Sequence, residues 1–313
     1  MSTFFCVIAA TAVARAWAAV LPPPLAAEYD DLRRRFVPQR RVITSVSGRI
    51  VCGGGSSPIS VAHFVDEEVV SALRQLALPQ AAKRVPALAF SKGRTAQREV
   101  GSGRGRVVEV AALSAAAVAA LAPDARHAVQ ALLDRVARRA GVPSTHIELQ
   151  LNKYTAGGHY SPHFDARPLD ANPRDGTLLL YLDTAVEGGG GETVFPLLRV
   201  AARPTRGTAL MWSNVVGAVI GQRLAAEGLG GAAAAEVAEA AARCILPPIS
   251  SSCRDLATEF FDSDALVTAL RDGADLCSWH AAMPLASGAT KVVLNAWIHR
   301  FPFRRGESAR DGL

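Results

Sequence analysis

Residues 147–165, IELQLNKYTAGGHYSPHFD, indicate most about how this chain folds. The first eight residues alternate between apolar and polar side chains, which is typical of a β-strand with one buried face. The glycine pair 157–158 marks a turn. The last seven residues set two histidines and an aspartate close together with aromatic residues between them. The stretch therefore predicts a strand, a turn and an extended segment that either holds a metal ion or lines a core.

Strands and helices are predicted in separate parts of the chain. Two segments have apolar residues at helical spacing, one after a capping Asp66 and one from Asp124 to a closing Gly141. Strands are predicted later, each bounded by Gly, Pro or Asp, for TLLLYLD (177–183), ETVFP (192–196), GTALMW (207–212) and KVVLNAWIH (291–299). Helices followed by many strands predict an α+β fold with a β-sandwich or jelly-roll core and N-terminal supporting helices.

We divide the chain into a leader, one domain and a tail. Residues 1–58 are interpreted as a leader and linker, residues 59–303 as the domain, and residues 304–313 as the tail. Over residues 215–274 the strand pattern stops and Ala-rich, helix-like segments take its place. We interpret these residues as an insertion at the periphery of the core, with an incorrectly assembled gene model as the alternative.

The N-terminus predicts a targeting segment. An apolar stretch from Phe4 to Leu21 is followed by small residues, as in a secretory signal or a signal anchor. It predicts the secretory pathway, in the lumen or membrane of the endoplasmic reticulum, and membrane attachment only if the segment stays uncleaved. Because Arg15 interrupts the stretch, as in transit peptides, a plastid or a mitochondrion is the alternative.

Charge and cysteine content exclude two classes of site. The net charge is +6, but residues 1–60 hold seven arginines and three acids, which leaves 27 of the 34 basic and 25 of the 28 acidic residues beyond. Nucleic acid is therefore not an expected partner. The five cysteines have no zinc-site spacing, so no thiolate metal site is expected. Cys244 and Cys253 either pair in an oxidising compartment or stay unpaired.

His163 and Asp165 are the first candidate metal ligands. In an extended segment residues i and i+2 point to the same side, so both side chains can reach one ion while Phe164 turns into the core. A histidine from a distant strand would complete a two-histidine, one-carboxylate triad, which leaves three adjacent metal positions open. His280 is our candidate. The alternative is a polar pair at a turn with His280 buried elsewhere.

Lys291 is a candidate for binding an anion. It begins the last predicted strand, where alternate residues face inward, and a buried lysine needs an anionic partner. Only four of the 34 basic residues are lysines, so a lysine here is less easily explained as a generic surface charge.

The other histidines are expected to have structural or surface roles. His159 is expected at the surface or beside the ligands rather than as a ligand. His299 is expected to be structural, and surface positions are expected for His63, His127 and His146.

Four blocks together resemble a known family. They are VARRAGVPSTHIELQLNKYTAGGHYSPHFD (136–165), TLLLYLDTAVEGGGGETVFP (177–196), RPTRGTALMWSN (203–214) and WHAAMPLASGATKVVLNAWIH (279–299). Their residues and order resemble the catalytic domain of prolyl 4-hydroxylases, which are iron(II)- and 2-oxoglutarate-dependent dioxygenases. The resemblance covers roughly residues 60 to 302 without the insertion, and it implies a double-stranded β-helix core.

The resemblance also implies roles for individual residues. His163, Asp165 and His280 would be the iron ligands. Lys291, supported by Tyr154 and Thr193, would pair with the distal carboxylate of 2-oxoglutarate. The residues that would line the peptide side of the pocket are Tyr160, Arg174 and Trp297, and a turn at 188–191 would lie near its mouth.

The reaction implied is hydroxylation of peptidyl proline to 4-hydroxyproline, with O2 and 2-oxoglutarate consumed and succinate and CO2 released. The implied partner is a proline-containing peptide or protein, and the implied reductant is L-ascorbate. The alternatives are the same machinery acting on another amino acid or a small molecule, or an inactive binding protein on this fold. The exact substrate and the oligomeric state do not follow from the sequence.

Two spacings depart from the family pattern. His280 lies 117 positions after His163, which the insertion explains if it loops outward. Lys291 follows His280 by 11 positions, one more than is common in the family, and we expect a bulge or a longer loop near residues 285–290 to absorb the difference.

Overall fold

A computed structural model describes residues 42–43, 58–79, 81, 85, 88, 91–93, 106–165, 172, 174–198, 200–215, 275 and 278–303. Apart from Val42, Ile43 and Pro58, the predicted leader and linker lie outside these residues, as do nearly all of the insertion, the tail and all five cysteines. The domain boundaries and the cellular location therefore stay predictions.

The described strands form two sheets that share strand β4. The larger sheet contains β2 (Ile59–Val61), β10 (Ala209–Ser213), β7 (Arg174–Tyr181), β12 (Lys291–His299), β5 (Ile147–Tyr154), β4 (Arg106–Ala112) and β3 (Ser91–Gly93) in that spatial order. The smaller sheet contains β6 (His159–His163), β11 (His280–Ala282), β8 (Thr193–Phe195), β9 (Val200–Ala202) and β1 (Val42–Ile43). The pairs are antiparallel except β1 with β9. The α+β jelly-roll prediction is confirmed.

Each face of the larger sheet packs against a different layer. Leu149, Leu151 and Leu294 belong to the cluster that also contains the helix residues Leu132 and Leu133. The residues that alternate with these leucines along each strand point to the opposite face of the sheet. On that face a second cluster includes Tyr154 and Val293. This second face looks towards the smaller sheet, because Phe195 of β8 and Ala282 of β11 belong to the same cluster. The space between the sheets is where the site is built.

In the described residues, three α-helices support the outer face: α1 (Glu67–Gln75), α2 (Ala115–Ala119) and α3 (Pro123–Ala140). Helix α3 begins one residue before the predicted Asp124, because a proline fits the first helical position without losing a hydrogen bond. Gly141 ends it in the left-handed conformation with φ 71°, as predicted. Asp66 does occupy the N-cap of α1, but its side chain makes no capping hydrogen bond, so that part of the prediction is wrong.

Helix α1 is also tied to the strand that carries Lys291. Arg74 of α1 donates from Nε to Asp183 Oδ1 at 2.5 Å, and Asp183 Oδ2 accepts the backbone N–H of Val292 at 2.9 Å. Because both bonds are partly buried, they fix the start of β12 against the end of β7.

Among the described residues, no helix has the length and apolar character needed to cross a membrane.

Candidate metal centre and active site

Three side chains predicted as ligands meet between the sheets. His163 ends β6 and is the register partner of His280 on β11, while Asp165 lies two residues beyond His163. His163 Nε2 is 3.5 Å from Asp165 Oδ1, and His280 Nε2 is 3.9 Å from Asp165 Oδ2. The three donor atoms lie within 4.8 Å of one another, and all three residues are buried. This geometry allows one ion to contact all three.

Hydrogen bonds orient both imidazoles. His163 Nδ1 is 2.8 Å from the carbonyl oxygen of Ser161, and His280 Nδ1 is 2.7 Å from that of Ser278. A carbonyl only accepts, so each Nδ1 carries the proton and each Nε2 keeps its lone pair towards the centre. Burial, and next the nearby His163, lower the pKa of His280 to about 4. His280 is thus a neutral ligand at ordinary pH.

Asp165 is held as a carboxylate by its neighbours. Burial alone would raise its pKa, but the two imidazoles, His280 first, outweigh burial and hold the pKa well below its usual range. Thr177 on β7 donates to Asp165 Oδ2 at 2.7 Å, and the side-chain amide of Asn214 contacts Thr177 at 2.9 Å. The donor set of two imidazoles and one carboxylate is the facial triad of non-haem iron(II) oxygenases, so these residues fit ferrous iron.

The hydroxyl of Thr177 gives a testable prediction. We expect Thr177→Val, which keeps the side-chain shape, to weaken iron binding about 10-fold or more because the carboxylate loses its orienting donor. Titration of the apo protein with iron(II) under anaerobic conditions measures the change. Thr205→Val is the control. The hydroxyl it removes lies in the loop between β9 and β10 and makes a weak, 3.4 Å hydrogen bond to the carbonyl oxygen of Arg203. Equal affinities for Thr177→Val and the unaltered protein would show that Thr177 does not position the ligand.

Aromatic rings enclose the triad. Tyr160 stacks on His163 with ring centroids 3.5 Å apart, and Trp212 meets His280 edge-on at 4.8 Å. Phe195 of β8 lies 5.7 Å from the His280 ring. These rings limit the access of water to the centre and fix the imidazole planes. Phe164 is only half-buried, so the prediction that it turns into the core is wrong, because the chain leaves β6 at this residue.

Lys291 is a buried cation next to this space. Its side chain is 2% exposed, Nζ donates to the carbonyl of Gly191 at 2.9 Å, and Nζ lies 4.4 Å from the centre of the Tyr154 ring. Burial lowers its pKa to about 7, although the Glu192 carboxylate opposes the shift. No carboxylate of the described residues forms an ion pair with Lys291. A buried lysine with no ion-pair partner in the described part of the chain fits the binding of an anionic co-substrate.

Gly191 gives Lys291 its backbone acceptor. Its φ is +77°, and a Cβ there would lie 2.7 Å from Leu285 Cδ2, so only glycine fits without movement. Gly188 and Gly190 also have positive φ, which agrees with the predicted turn at 188–191.

Tyr154 and Thr193 flank the same space. Tyr154 is the register partner of Lys291, and its ring lies under the ammonium group. Thr193 accepts a hydrogen bond from the hydroxyl of Tyr181 at 2.7 Å. Tyr154 is therefore next to the place predicted for the keto acid, and Thr193 lies two residues after Gly191, the acceptor of Lys291. The roles of both residues in binding the keto acid stay predictions.

Of the three residues predicted to line the peptide side of the pocket, Arg174 and Trp297 contact each other, whereas Tyr160 stacks on His163. The guanidinium of Arg174 lies 3.6 Å from the centre of the Trp297 ring and donates to Glu148 at 3.0 Å. His299 also contacts Glu148, at 2.9 Å, which fits its expected structural role. Trp297 is the register partner of Thr177, so this group adjoins the triad.

The surface position expected for His146 is wrong, and burial excludes the surface alternative for His159, which as expected is not a ligand. His159 is 1% exposed, because β6 pairs there with Val107 of β4, and its Nδ1 bonds to the carbonyl of Gly157. It is not part of the ligand group. His146 is also buried, with Nδ1 3.2 Å from the carbonyl of His299. Both burials depend on strands far away in the sequence.

The unusual spacing between His280 and Lys291 has a local explanation. The register of β11 against β6 shifts between His280 and Ala282, as in a bulge. A loop with a turn at Gly288 then leads to β12. Lys291 thereby reaches the inner face of the larger sheet despite the extra residue.

Comparison with known proteins agrees with this geometry. Residues 149–228 match the family model described as "2OG-Fe(II) oxygenase superfamily", a segment that contains His163 and Asp165. Over 81 residues the chain is 38% identical to prolyl 4-hydroxylase subunit alpha-1 of Rattus norvegicus, covering 23% of this chain and 15% of that protein. Over 98 residues it is 36% identical to prolyl 4-hydroxylase subunit alpha-2 of Caenorhabditis elegans, covering 27% of this chain and 18% of the relative. The chain thus spans less than a fifth of the length of these relatives.

Among solved structures, the viral collagen prolyl hydroxylase of Paramecium Bursaria Chlorella virus-1 is similar with a TM-score of 0.45 and 17% identity. The match covers 80% of this chain and 98% of the viral chain. The resemblance stated from the sequence is confirmed by the family model and the alpha-subunit matches.

Proposed function

We propose that this chain, whose residues 149–228 belong to the 2OG-Fe(II) oxygenase superfamily, hydroxylates peptidyl proline to 4-hydroxyproline and decarboxylates 2-oxoglutarate in the same reaction. In the balanced reaction, one oxygen atom of O2 enters the substrate C–H bond. The other oxygen atom enters succinate, and the lost carboxyl group leaves as CO2. Bound ferrous iron supplies the activation of O2 that this chemistry requires.

One observation carries the proposal: a buried facial triad shares the space between two sheets with a buried lysine that has no ion-pair partner among the described residues. The triad offers three fixed donors and leaves three adjacent iron positions for the co-substrate and O2. Lys291 offers the positive charge that the far carboxylate of 2-oxoglutarate requires. The surrounding rings exclude water from a reaction that a stray solvent molecule would divert.

The substrate part of the proposal is supported by the alpha-subunit relatives and by the aromatic and cationic groups beside the triad. Tyr160 offers a partly exposed flat ring that suits a proline ring, and beside it the buried Trp297 ring carries the Arg174 guanidinium on its face. Such aromatic surfaces are the usual means of binding proline-rich segments.

Mass spectrometry tests the proposal directly. The purified protein with iron(II), 2-oxoglutarate, O2 and ascorbate as the proposed reductant is incubated with a proline-rich peptide. We expect a gain of one oxygen atom on proline and one succinate for each hydroxylation. Succinate release that depends on another amino acid or a small molecule would favour the alternative substrate class. Iron binding without substrate-dependent succinate would favour an inactive binding protein.

The pKa of Lys291 predicts how 2-oxoglutarate binding changes with pH. The free protein loses the lysine proton near pH 7, and the bound carboxylate needs it, so binding above pH 7 takes up a proton. We expect the dissociation constant to rise about tenfold per pH unit above pH 7. Calorimetry of the zinc-loaded protein in buffers of different ionisation enthalpy measures the uptake. Lys291→Arg stays charged and should lose this pH dependence; the same slope in both proteins would contradict the prediction.

A further inference from the structure

Lys291 lies at the end of a strand, where its position depends on neighbouring residues. It is the first residue of β12, and Thr290, which precedes it, is exposed. Strand ends beside exposed loops open more easily than strand centres. The ammonium group nevertheless has a narrow target, because Nζ donates to the Gly191 carbonyl at 2.9 Å. Since the lysine side chain is a flexible four-carbon stem, this placement requires a fixed backbone at the start of β12.

A side chain completes the hydrogen bonding of the residue that follows Lys291. Leu182, directly after β7, donates its N–H to the carbonyl oxygen of Val292 at 3.0 Å. The N–H of Val292 donates to Oδ2 of Asp183 at 2.9 Å. A carboxylate therefore serves where a longer strand β7 would offer a backbone carbonyl. The start of β12 is held to the end of β7 through this carboxylate.

Helix α1 holds the other oxygen of the same carboxylate. Arg74, in the last turn of α1, donates from Nε to Oδ1 of Asp183 at 2.5 Å. Each oxygen of Asp183 thus has its own donor, the arginine on one side and the backbone of β12 on the other. The two side chains are 24% and 20% exposed, so water screens the pair only in part. Hydrogen bonds between ionised groups are also stronger than those between neutral groups.

A second arginine fixes the backbone next to Asp183. The guanidinium of Arg206 donates to the carbonyl oxygen of Leu182 at 2.7 Å. Its Nε donates to the carboxylate of Glu67, the first residue of α1, at 2.8 Å. Both arginines therefore tie the end of β7 to helix α1, one through a carbonyl and one through the Asp183 carboxylate.

We propose that Asp183, held by Arg74, is a positioning residue for the 2-oxoglutarate anchor Lys291. The inference rests on the proposed function, in which Lys291 binds the far carboxylate of the keto acid. Asp183 acts through the N–H of Val292 and not through contact with the co-substrate. It sets the backbone from which the ammonium group reaches the pocket. None of the three iron ligands lies on β7 or β12, so the effect is confined to the co-substrate.

Removal of the carboxylate should weaken 2-oxoglutarate binding selectively. We expect Asp183→Ala to raise the dissociation constant of 2-oxoglutarate about 10-fold, because the N–H of Val292 loses a charged acceptor. Arg74→Leu should raise it about 2- to 5-fold, the range expected for a partly exposed ion pair. The turnover rate at saturating 2-oxoglutarate and the affinity for zinc(II) should stay those of the unaltered protein. A merely structural role would reduce metal affinity and turnover as well.

The double variant tests whether Arg74 acts through Asp183. If it does, Arg74→Leu has no further effect once Asp183 is replaced, so Asp183→Ala and the double variant should bind 2-oxoglutarate equally. Arg74→Lys keeps the charge and should restore part of the affinity lost in Arg74→Leu. If Asp183→Ala does not fold, Asp183→Asn takes its place. The asparagine keeps an acceptor for Val292 and loses the one for Arg74, so it should match Arg74→Leu.

Two measurements are made on the full chain. Calorimetry of the zinc-loaded protein with 2-oxoglutarate gives the affinity, and amide hydrogen exchange at Val292 in the metal-free protein reports how often the strand end opens. Exchange at Val292 should be faster in Asp183→Ala. Glu109→Ala is the matched control, because Glu109 pairs with Lys153 at 3.2 Å between β4 and β5 rather than at β12. It should bind 2-oxoglutarate as the unaltered protein does.

The possible failures are distinguishable. Unchanged 2-oxoglutarate affinity in a folded Asp183 variant would overturn the inference, and so would equal losses of metal affinity and turnover. Independent effects of the two changes in the double variant would remove Arg74 from it. If the unaltered protein does not bind 2-oxoglutarate, the proposed function fails and the inference with it. If the unaltered protein binds 2-oxoglutarate, Lys291→Ala does not, and the Asp183 variants bind normally, only the inference fails.

Discussion

We expect one-to-one iron binding and succinate production to be abolished by each of three single changes: His163→Ala, Asp165→Ala and His280→Ala. The reason is that the three donor atoms lie within 4.8 Å of one another in a buried centre, where no other group of the described residues completes a set of three ligands. Since loss of a residue that only orients a ligand weakens metal binding about 10- to 100-fold, loss of a ligand should exceed that range. Metal analysis after dialysis against iron(II), and succinate assays, measure the two effects.

His127→Ala is the matched control, because His127 is an exposed residue of helix α3 far from the triad in the sequence. It should keep full iron content and activity. Thermal denaturation without metal checks that each variant is folded. A folded variant of any triad residue that retains a full equivalent of iron and normal turnover would rule out the assigned ligand set.

We expect Lys291→Ala to raise the 2-oxoglutarate concentration needed for half-maximal succinate release, called the 2-oxoglutarate requirement below, about 100-fold or more. The iron content should stay unchanged. Removing one partner of a buried ion pair costs about 3–5 kcal/mol, and each 1.4 kcal/mol is a factor of ten in affinity. Lys291 is 2% exposed and bonds only to the Gly191 carbonyl among described residues, so no nearby group can replace it. Succinate release at varied 2-oxoglutarate concentrations gives the requirement.

Lys153→Ala provides the comparison, because Lys153 pairs with Glu109 at 3.2 Å and is partly exposed on the opposite face of β5. It should behave as the unaltered protein. If Lys291→Ala leaves the requirement unchanged, Lys291 is not the group that pairs with the keto acid, and the buried ammonium has another partner.

The local part of the site could be predicted from the sequence. His163 and Asp165 are two residues apart in an extended segment, so strand periodicity alone brings them together. The strands and the helix ending at Gly141 follow in the same way from alternation, helical spacing and turn residues. These patterns depend on neighbours within a few positions.

His280, the distant part of the site, was only one candidate until the family resemblance supported it. His280 is 117 positions from His163, and no periodicity predicts that β11 pairs with β6 at this register. The burial of His146 was missed for the same reason, since it contacts a strand remote in sequence. Propensity describes single segments, whereas burial is decided by which segments pair.

The residues that support the triad had no signal in the sequence. Thr177 lies in an apolar run and reads as a buried strand residue, yet its hydroxyl orients Asp165. Asn214 acts through Thr177 on the neighbouring strand of the same sheet, and Trp212 acts through His280 across the two sheets. Only the register shows that these side chains share one space.

A crystal structure of the protein loaded anaerobically with iron(II) and 2-oxoglutarate, with anomalous scattering recorded at the iron edge, tests the central claim most directly. The account predicts one iron bonded to His163 Nε2, His280 Nε2 and an Asp165 oxygen, with the far carboxylate of 2-oxoglutarate on Lys291. Iron bound at any other place, or with one of the three side chains turned away from it, would contradict the account.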